Sequence, residues 1–281
     1  MNQPSPSNMH KLPAARGLAW FAGSWELVRR QPVRLLLISL FFQFFLSVSQ
    51  ADLLGLLVVM CLPVLSAGML HAFYLVEAGE RPMLAVLFMP FTVKNTVGRL
   101  LVLGGVVLVL GLLLITVFMA GQVMDIDPEL LSRIEQGDLD ALQYIDPATM
   151  ESSLLAMALA AAVSGMLTYF SVPLIWFRRQ SVGSAILLGL KALGRNWKPL
   201  LLIGVLLGLL AVPIVMLVAY FYLSTFSGGD PSTMLAIVLL VLGPLFQLLL
   251  FGTQYLAFRD IFGLDEHLVR VEKSGNDQLV A

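Results

Sequence analysis

The sequence has 281 residues, of which 58% are hydrophobic and 12% charged, and its mean hydropathy is +0.88. Soluble domains are about 45–50% apolar and about 25% charged, so this composition excludes an ordinary soluble protein and predicts a polytopic membrane protein. The net charge of −1 gives no indication of an anionic partner, and the single cysteine, Cys61, excludes disulfides within the chain and any metal site built on paired cysteines.

Six apolar stretches are long enough to be predicted as membrane-spanning helices, because a bilayer core of about 30 Å needs about 20 apolar residues in a helix. No Asp, Glu, Lys or Arg interrupts their interiors, where each would cost about 2.5–3.5 kcal/mol. In chain order the predicted spans are Val33–Val48, Leu53–Val76, Leu100–Gly121, Leu154–Phe177, Leu200–Leu223 and Met234–Phe258.

The first span is the shortest, and Ser47 and Ser49 after it have the small-x-small spacing of a signal-peptide cleavage site. However, the residues before this span include Trp20 and Trp25 and form a charged region too long for a typical signal. We therefore expect the span to be retained, although cleavage would leave five.

The basic residues predict the orientation of the spans. Sixteen of the seventeen Lys and Arg residues lie on one side of the six-span arrangement, and only Arg133 lies on the other. Since cytoplasmic loops of bacterial inner-membrane proteins are rich in Lys and Arg, both termini are predicted to be cytoplasmic. All four tryptophans lie near span ends on that side, where we expect their rings in the headgroup layer. The strongest predicted topology and interface anchors are Trp25, Arg29, Arg30, Arg178, Arg179, Arg195, Trp197 and Lys198.

An approximate internal repeat organises the chain. Residues 23–32 ("GSWELVRRQP") and 189–199 ("GLKALGRNWKP") share Gly-x-x-x-Leu-x-Arg and place proline near the start of a span, where its missing N–H costs nothing. A fainter copy, "FMPFTVKNTVGRLLVLG", occupies residues 88–104. We therefore predict an all-α membrane bundle made of three loosely repeated hairpins, each with a cytoplasmic interfacial helix, at about 16–81, 82–181 and 182–259.

The chain is predicted to be a single integral membrane domain with three segments outside the bilayer. Residues 1–14 are predicted to be a disordered tail, and residues 262–281 a cytoplasmic tail. Residues 122–148 form an acidic insert that we expect on the periplasmic side. Within it, Asp127 as N-cap, Pro128 and the terminator Gly137 predict a short amphipathic helix. The insert's carboxylates could bind a divalent cation, but they lack a calcium-loop pattern and are better explained as a solvated surface.

Polar residues within the spans are the candidate site residues. Gln43, His71, Gln247 and Gln254 could line a polar pathway, although each could instead make one interhelical contact. Gly204 with Gly208, and Gly68 with Ala72, have the spacing typical of close helix packing. Pro63, Pro173, Pro213 and Pro244 also lie within spans, where broken helices can form transporter sites.

No catalytic motif, metal cluster or cofactor motif is present in the sequence, so we expect no enzyme activity and no cofactor. Membrane lipids or other membrane proteins are the expected partners, and nucleic acid is not. A small transporter or lipid-handling protein, with a site between kinked helices, is the alternative.

The segment before the first span carries a family resemblance. Gly17, Trp20, "GSW" at Gly23–Trp25 and the following "RRQP", together with Leu62, Pro63, Ala67 and Gly68, resemble a family of uncharacterised bacterial inner-membrane proteins. The arrangement is more remotely similar to the membrane domain fused to some bacterial glycerophosphodiester phosphodiesterases. The resemblance implies a six-span inner-membrane fold and no particular activity, because this chain has no phosphodiesterase domain.

Overall fold

The computed structural model describes residues 9–48, 52–119, 128–135, 144, 147–226 and 233–263. Regular structure in these ranges is helical, which confirms the predicted all-α class. Its elements are α1 (Arg16–Arg30), α2 (Pro32–Val48), α3 (Asp52–Glu77), a 3₁₀ turn (Leu84–Leu87), α4 (Met89–Thr92), α5 (Thr96–Met119), α6 (Pro128–Glu135), α7 (Pro147–Arg178), α8 (Val182–Arg195), α9 (Trp197–Phe226) and α10 (Thr233–Phe262).

Five of the described helices, α3, α5, α7, α9 and α10, are long and apolar enough to cross a membrane. A sixth candidate is the pair α1 and α2, which meets the same test only when its two helices are taken together and is bent by 103° at Gln31. α2 alone has 17 residues, which corresponds to about 26 Å of helix. By helix length and hydropathy the chain is a multi-pass membrane protein. The shortest of its candidate spans, α2, corresponds to the first predicted span, which is also the shortest of the six predicted from the sequence.

Two helices form the centre of the bundle. α3 packs against α2, α5, α7 and α10, while α10 packs against α1, α2, α7 and α9. α9 differs from both, because its principal neighbours are α1, α8 and α10 and few of its apolar side chains are buried. The shared core contains Leu35, Phe73, Phe170, Tyr255 and Phe258, all fully buried.

Helix α1 was predicted to be an interfacial helix, but one face of it lies in the protein core. That face consists of Gly17, Trp20, Ser24, Leu27 and Val28. The hydroxyl of Ser24 donates a hydrogen bond of 3.1 Å to the backbone carbonyl of Leu249 in α10. Packing against α10 explains Trp20, which donates to Asp260, and Gly23, where a Cβ would lie 2.9 Å from Leu256. Gly17 instead packs against Pro199 and Leu202 of α9, and Trp25 is exposed.

Close helix packing was predicted at two pairs of small residues, Gly68 with Ala72 and Gly204 with Gly208, and the structure shows it at the first pair. A Cβ at Gly68 would overlap the backbone of Val86 and Leu87 in the 3₁₀ turn, so a glycine is required there. In contrast, a Cβ at Gly204 or Gly208 would meet nothing within 4 Å. The expectation for α9 was therefore wrong for contacts among the described residues, because α9 lies at the edge of the bundle.

The N-terminal segment differs from the expected disordered tail of residues 1–14. The backbone N–H of His10 donates to the carbonyl of Ile261 at 3.0 Å, and Met9 is buried. The N–H of Leu12 donates to the side-chain carbonyl of Asn196 at 2.9 Å. Residues 9–14 are thus bound across the ends of α8 and α10, and residues 1–8 lie outside the described residues.

The remaining predicted segments are described in part. The short helix of the acidic insert is confirmed as α6, Pro128–Glu135, but its predicted N-cap Asp127 and terminator Gly137 lie outside the described residues, as do most of the insert's other acidic residues. Of the predicted C-terminal tail, only Phe262 and Gly263 are described. Pro32 begins α2 as predicted, whereas α9 begins two residues before Pro199, at Trp197.

Candidate functional site

The four candidate polar residues lie in separate surroundings. Gln254 donates a hydrogen bond of 2.6 Å to the backbone carbonyl of Tyr169 in α7. The Oε1 atom of Gln247 accepts one of 2.8 Å from Ser39 in α2. His71 stacks on Tyr74 at 5.5 Å between ring centroids and meets the edge of Trp176 at 5.6 Å. Each of these three side chains is therefore held by its own helix contact.

Burial distinguishes the fourth candidate from the other three. His71, Gln247 and Gln254 are 4%, 7% and 5% exposed, whereas Gln43 is only partly buried. Two buried nitrogens, Nδ1 of His71 and Nε2 of Gln247, have no hydrogen-bond partner among the described residues. An unpaired buried polar atom costs about 1–3 kcal/mol, so these two atoms are places where water or a ligand group would be favoured.

A lateral cleft of about 420 Å³ lies between α7, α9 and α10, and Gln254 is the one candidate residue among those that line it. The cleft separates α7 from α9. Apolar side chains and glycines form most of its wall. The lining residues are Ser66, Gly165, Met166, Thr168, Tyr169, Val172, Leu193, Leu200, Ile203, Gly204, Leu207, Leu250, Phe251 and Gln254.

The three helices around this lateral cleft each contain an internal proline, namely Pro173, Pro213 and Pro244. The lining carries no Asp, Glu, Lys, Arg or His side chain. An apolar cavity of this size with a few polar groups at its wall is suited to bind an apolar molecule and orient it. In a membrane, the acyl chain of a lipid is the most abundant molecule of that kind.

The basic end of the bundle, which we define by Arg16, Arg99, Arg178, Arg179 and Arg259, is held together by charged hydrogen bonds. Glu77 at the end of α3 accepts hydrogen bonds from Arg259 and from the hydroxyl of Tyr255. Asp260 pairs with Arg16 at 2.7 Å and accepts a hydrogen bond of 2.9 Å from Nε1 of Trp20. These contacts join α1, α3 and α10.

Two of the predicted anchors also have a structural role at this basic end. Arg178 donates to the carbonyl of Phe262 and therefore satisfies the last turn of α10, where helix carbonyls have no partner in the helix. Arg179 donates to Oγ1 of Thr96 at 2.6 Å and lies 4.9 Å over the ring of Trp176. Arg99 of α5 in turn donates to the carbonyl of Arg179.

The other predicted anchors are exposed, as a headgroup position requires. Trp25 and Trp197 are 43% and 55% exposed, and Lys198 lies over the ring of Trp197 at 5.7 Å. Arg29, Arg30 and Arg195 are exposed as well. Trp20 and Trp176 differ from the expectation for all four tryptophans, because they are 1% and 3% exposed and are buried by protein rather than facing headgroups.

Sequence reasoning missed Asn196, which is 1% exposed between α8 and α9. Its side chain accepts from the N–H of Leu12 at 2.9 Å and donates to the carbonyl of His10 at 3.2 Å. A signal was available, since an asparagine directly between two predicted helices is a frequent cap or turn residue. Glu77 and Asp260 were not assigned as partners of Arg259 and Arg16 because they lie far from them in the sequence.

Comparison with known proteins adds no assignment to this geometry. No protein-family model, no curated protein and no solved structure matches the chain.

Proposed function

We propose that this protein is a six-span protein of the bacterial inner membrane, arranged as three loosely repeated hairpins with both termini cytoplasmic. The distribution of Lys and Arg supports the orientation. A short helical segment precedes each predicted outward span: α1 before α2, the 3₁₀ turn and α4 before α5, and α8 before α9. The family resemblance of residues 17–32 and 62–68 belongs to the same proposal.

The function that the geometry supports best is non-enzymatic lipid binding, in which an acyl chain enters the lateral cleft between α7 and α9. The lateral cleft is the single observation that carries this proposal, because it is an apolar cavity within the predicted membrane-spanning region. Its polar wall groups, such as Gln254, would fix the position of a polar atom near the chain. The sequence supports the non-enzymatic part, since it contains none of the common catalytic motifs.

The test is to fill the lateral cleft without disturbing the backbone. Gly165 and Gly204 line it, and a Cβ at either position meets nothing within 4 Å, so leucine should be accommodated there. The protein is purified in mild detergent from native membranes, and bound lipid is identified by mass spectrometry. We expect Gly165→Leu and Gly204→Leu to lose most of the lipid that the natural protein retains.

Gly208→Leu is the matched control, because Gly208 is on the same helix with equally open space but is not among the residues lining the lateral cleft. It should retain lipid as the natural protein does. If Gly165→Leu and Gly204→Leu retained as much lipid as Gly208→Leu does, the lateral cleft would not be the binding site.

A small transporter is the second candidate, favoured by the unpartnered Nδ1 of His71 and Nε2 of Gln247. Polar atoms inside membrane spans often mark a substrate pathway. If this candidate is correct, Gln247→Cys in a Cys61→Ser background should react with a charged thiol reagent added to intact vesicles. Protection of that thiol in folded protein, with reaction after unfolding, would favour lipid binding over transport.

A further inference from the structure

A second cavity, the α2 groove, runs along the outer face of α2. It is an open groove with a volume of about 960 Å³, lined by Gln31, by α2 and by the segment Pro82–Leu84. The chain bends by 103° between α1 and α2, so α1 does not cover the first turns of α2. Arg34, in the first turn of α2, lies near one end of the α2 groove, and Phe44 lies near the other.

Arg34 contacts the described part of the chain more weakly than the arginines of the basic end do, since each of those makes a shorter hydrogen bond, and Arg34 has no carboxylate partner there. Arg16 and Arg259 pair with carboxylates, whereas Arg34 makes one long hydrogen bond, 3.4 Å, from Nη1 to the carbonyl of Pro82. A guanidinium has five N–H donors, so most of its donors are available. The residues that line the α2 groove include no Asp or Glu.

Apart from Arg34 and Gln31, the α2 groove is lined by apolar side chains, and it has the length of a lipid chain in one leaflet. Arg34 and Phe44 are ten residues apart, which is about 15 Å along a helix and about half of a 30 Å hydrocarbon core. Leu37 and Phe44 are 56% and 57% exposed along it, and Met83 is 70% exposed at its rim. Phe41 meets Phe88 edge to face at 6.0 Å between centroids, which fixes the wall of the α2 groove against the neighbouring turn.

We propose that the α2 groove binds one anionic phospholipid, with its phosphate on Arg34 and one acyl chain along α2 toward Phe44. Arginine binds phosphate through two parallel hydrogen bonds, and the predicted cytoplasmic position of Arg34 places it at the level of the phosphates. A zwitterionic headgroup would bring an ammonium group to a site whose lining offers it no carboxylate. The site therefore prefers phosphatidylglycerol to phosphatidylcholine.

This site is independent of the lateral cleft, because the two cavities share no lining residue. A Gly204→Leu variant, which fills the lateral cleft, should keep the headgroup preference of the α2 groove. An Arg34→Gln variant should keep the lipid of the lateral cleft. The failure of either proposal is thus visible separately.

The experiment places the full-length protein in nanodiscs with equal amounts of phosphatidylglycerol and phosphatidylcholine that carry the same acyl chains. Native mass spectrometry then measures the ratio of the two lipids that stay bound. We expect the natural protein to favour phosphatidylglycerol and Arg34→Gln to lower that ratio by about fivefold, the effect of one basic group near an anionic headgroup. Arg34→Lys should retain most of the preference, because it keeps the charge.

Arg29→Gln is the matched control, since Arg29 is an exposed arginine on α1 that does not line the α2 groove. Met83→Asp is a second variant at an exposed residue, and its added negative charge should lower the ratio without removing a core contact. Equal retention of the two lipids by the natural protein, or an unchanged ratio in both Arg34→Gln and Met83→Asp, overturns the proposal. Displacement of phosphatidylglycerol by millimolar glycerol 3-phosphate also overturns it, since a free phosphate would then be the ligand.

Discussion

The carboxylate of Asp260 in the last turn of α10 accepts a hydrogen bond of 2.9 Å from the indole N–H of Trp20 in α1, 240 residues earlier in the chain. The same carboxylate oxygen pairs with Arg16 one turn before Trp20. Asp260 therefore fastens the first described helix to the last one, at the end of the bundle where Glu77 fastens α3 to α10.

Removal of this carboxylate should destabilise the protein. Hydrogen bonds to a charged group contribute about 1.5–3 kcal/mol each when they are shielded from water, and the Asp260 side chain is only 9% exposed. We expect Asp260→Ala to lower the free energy of unfolding by about 2 kcal/mol or more. Unfolding in mixed micelles by increasing denaturing detergent measures the difference.

Glu26→Ala is the control for that change, because Glu26 also pairs with an arginine, Arg30, but at 3.9 Å and with both side chains at least half exposed. An exposed pair of this type contributes about 0.5 kcal/mol or less. Equal destabilisation by the two substitutions would contradict the central role of Asp260.

Asn196 should control the N-terminal segment. Asn196→Ala removes the acceptor for the N–H of Leu12 and the donor to the carbonyl of His10, so residues 10–12 should separate from α8. We expect hydrogen exchange at the Leu12 amide to become much faster, while exchange in α3 stays unchanged. Arg195→Ala, at the exposed neighbouring position, should leave the Leu12 amide protected, and a loss of protection there would mean that the whole junction has unfolded.

Two adjacent glycines in α5 should respond oppositely to the same substitution. A Cβ at Gly104 would overlap the backbone of Met60 in α3, whereas a Cβ at Gly105 meets nothing within 4 Å. We expect Gly104→Ala to destabilise the protein by about 1–3 kcal/mol, the usual cost of overpacking. Gly105→Ala should be neutral or stabilising, since alanine is the better helix former.

Thermal unfolding of the two glycine variants in the same detergent is the measurement. Similar midpoints for both variants would show that α3 and α5 do not approach each other closely at Gly104.

The predicted orientation can be checked with single cysteines in a Cys61→Ser background. We expect Asp138→Cys, in the acidic insert, to react with a membrane-impermeant maleimide added to intact spheroplasts. Leu18→Cys, at an exposed position of α1, should react only after the membrane is opened. The reverse labelling pattern would invert the topology and would move Arg34 of the α2 groove to the outer leaflet.

Much of the fold was predictable because hydropathy is a property of short stretches of chain. Five of the six predicted spans lie within helices, and the third, Leu100–Gly121, lies in α5 as far as Met119, the last described residue there. The structure lengthens several of the spans. In particular, α10 continues to Phe262, so Arg259 and Asp260 lie within its last turn. The residue at which a helix ends is less predictable, because a charged side chain there can form an ion pair with another helix instead of being solvated by water. Five of the six spans meet the length test alone, and the weakest, α2, meets it only with α1.

The candidate site was predictable only in part. Gln254 lies at the lateral cleft, but the other polar candidates were chosen by residue type, and their partners, such as Ser39 for Gln247, depend on the rotation of each helix about its axis. Likewise, Gly204 and Gly208 have the same spacing as Gly68 and Ala72, yet the Gly68 position is packed against another segment while the α9 glycines face open space.

The sequence alone determined that the chain is helical and crosses the membrane several times, because burying an uninterrupted apolar helix in lipid is favourable whatever its neighbours are. It also predicts the orientation, since this depends on a count of basic residues. Only the tertiary structure decided which charges pair and which do not. Arg16 forms an ion pair with Asp260, 244 residues later in the chain, whereas Arg34 lies near one end of the α2 groove without a carboxylate partner among the described residues. That difference arises from how the helices pack, and local composition does not encode it.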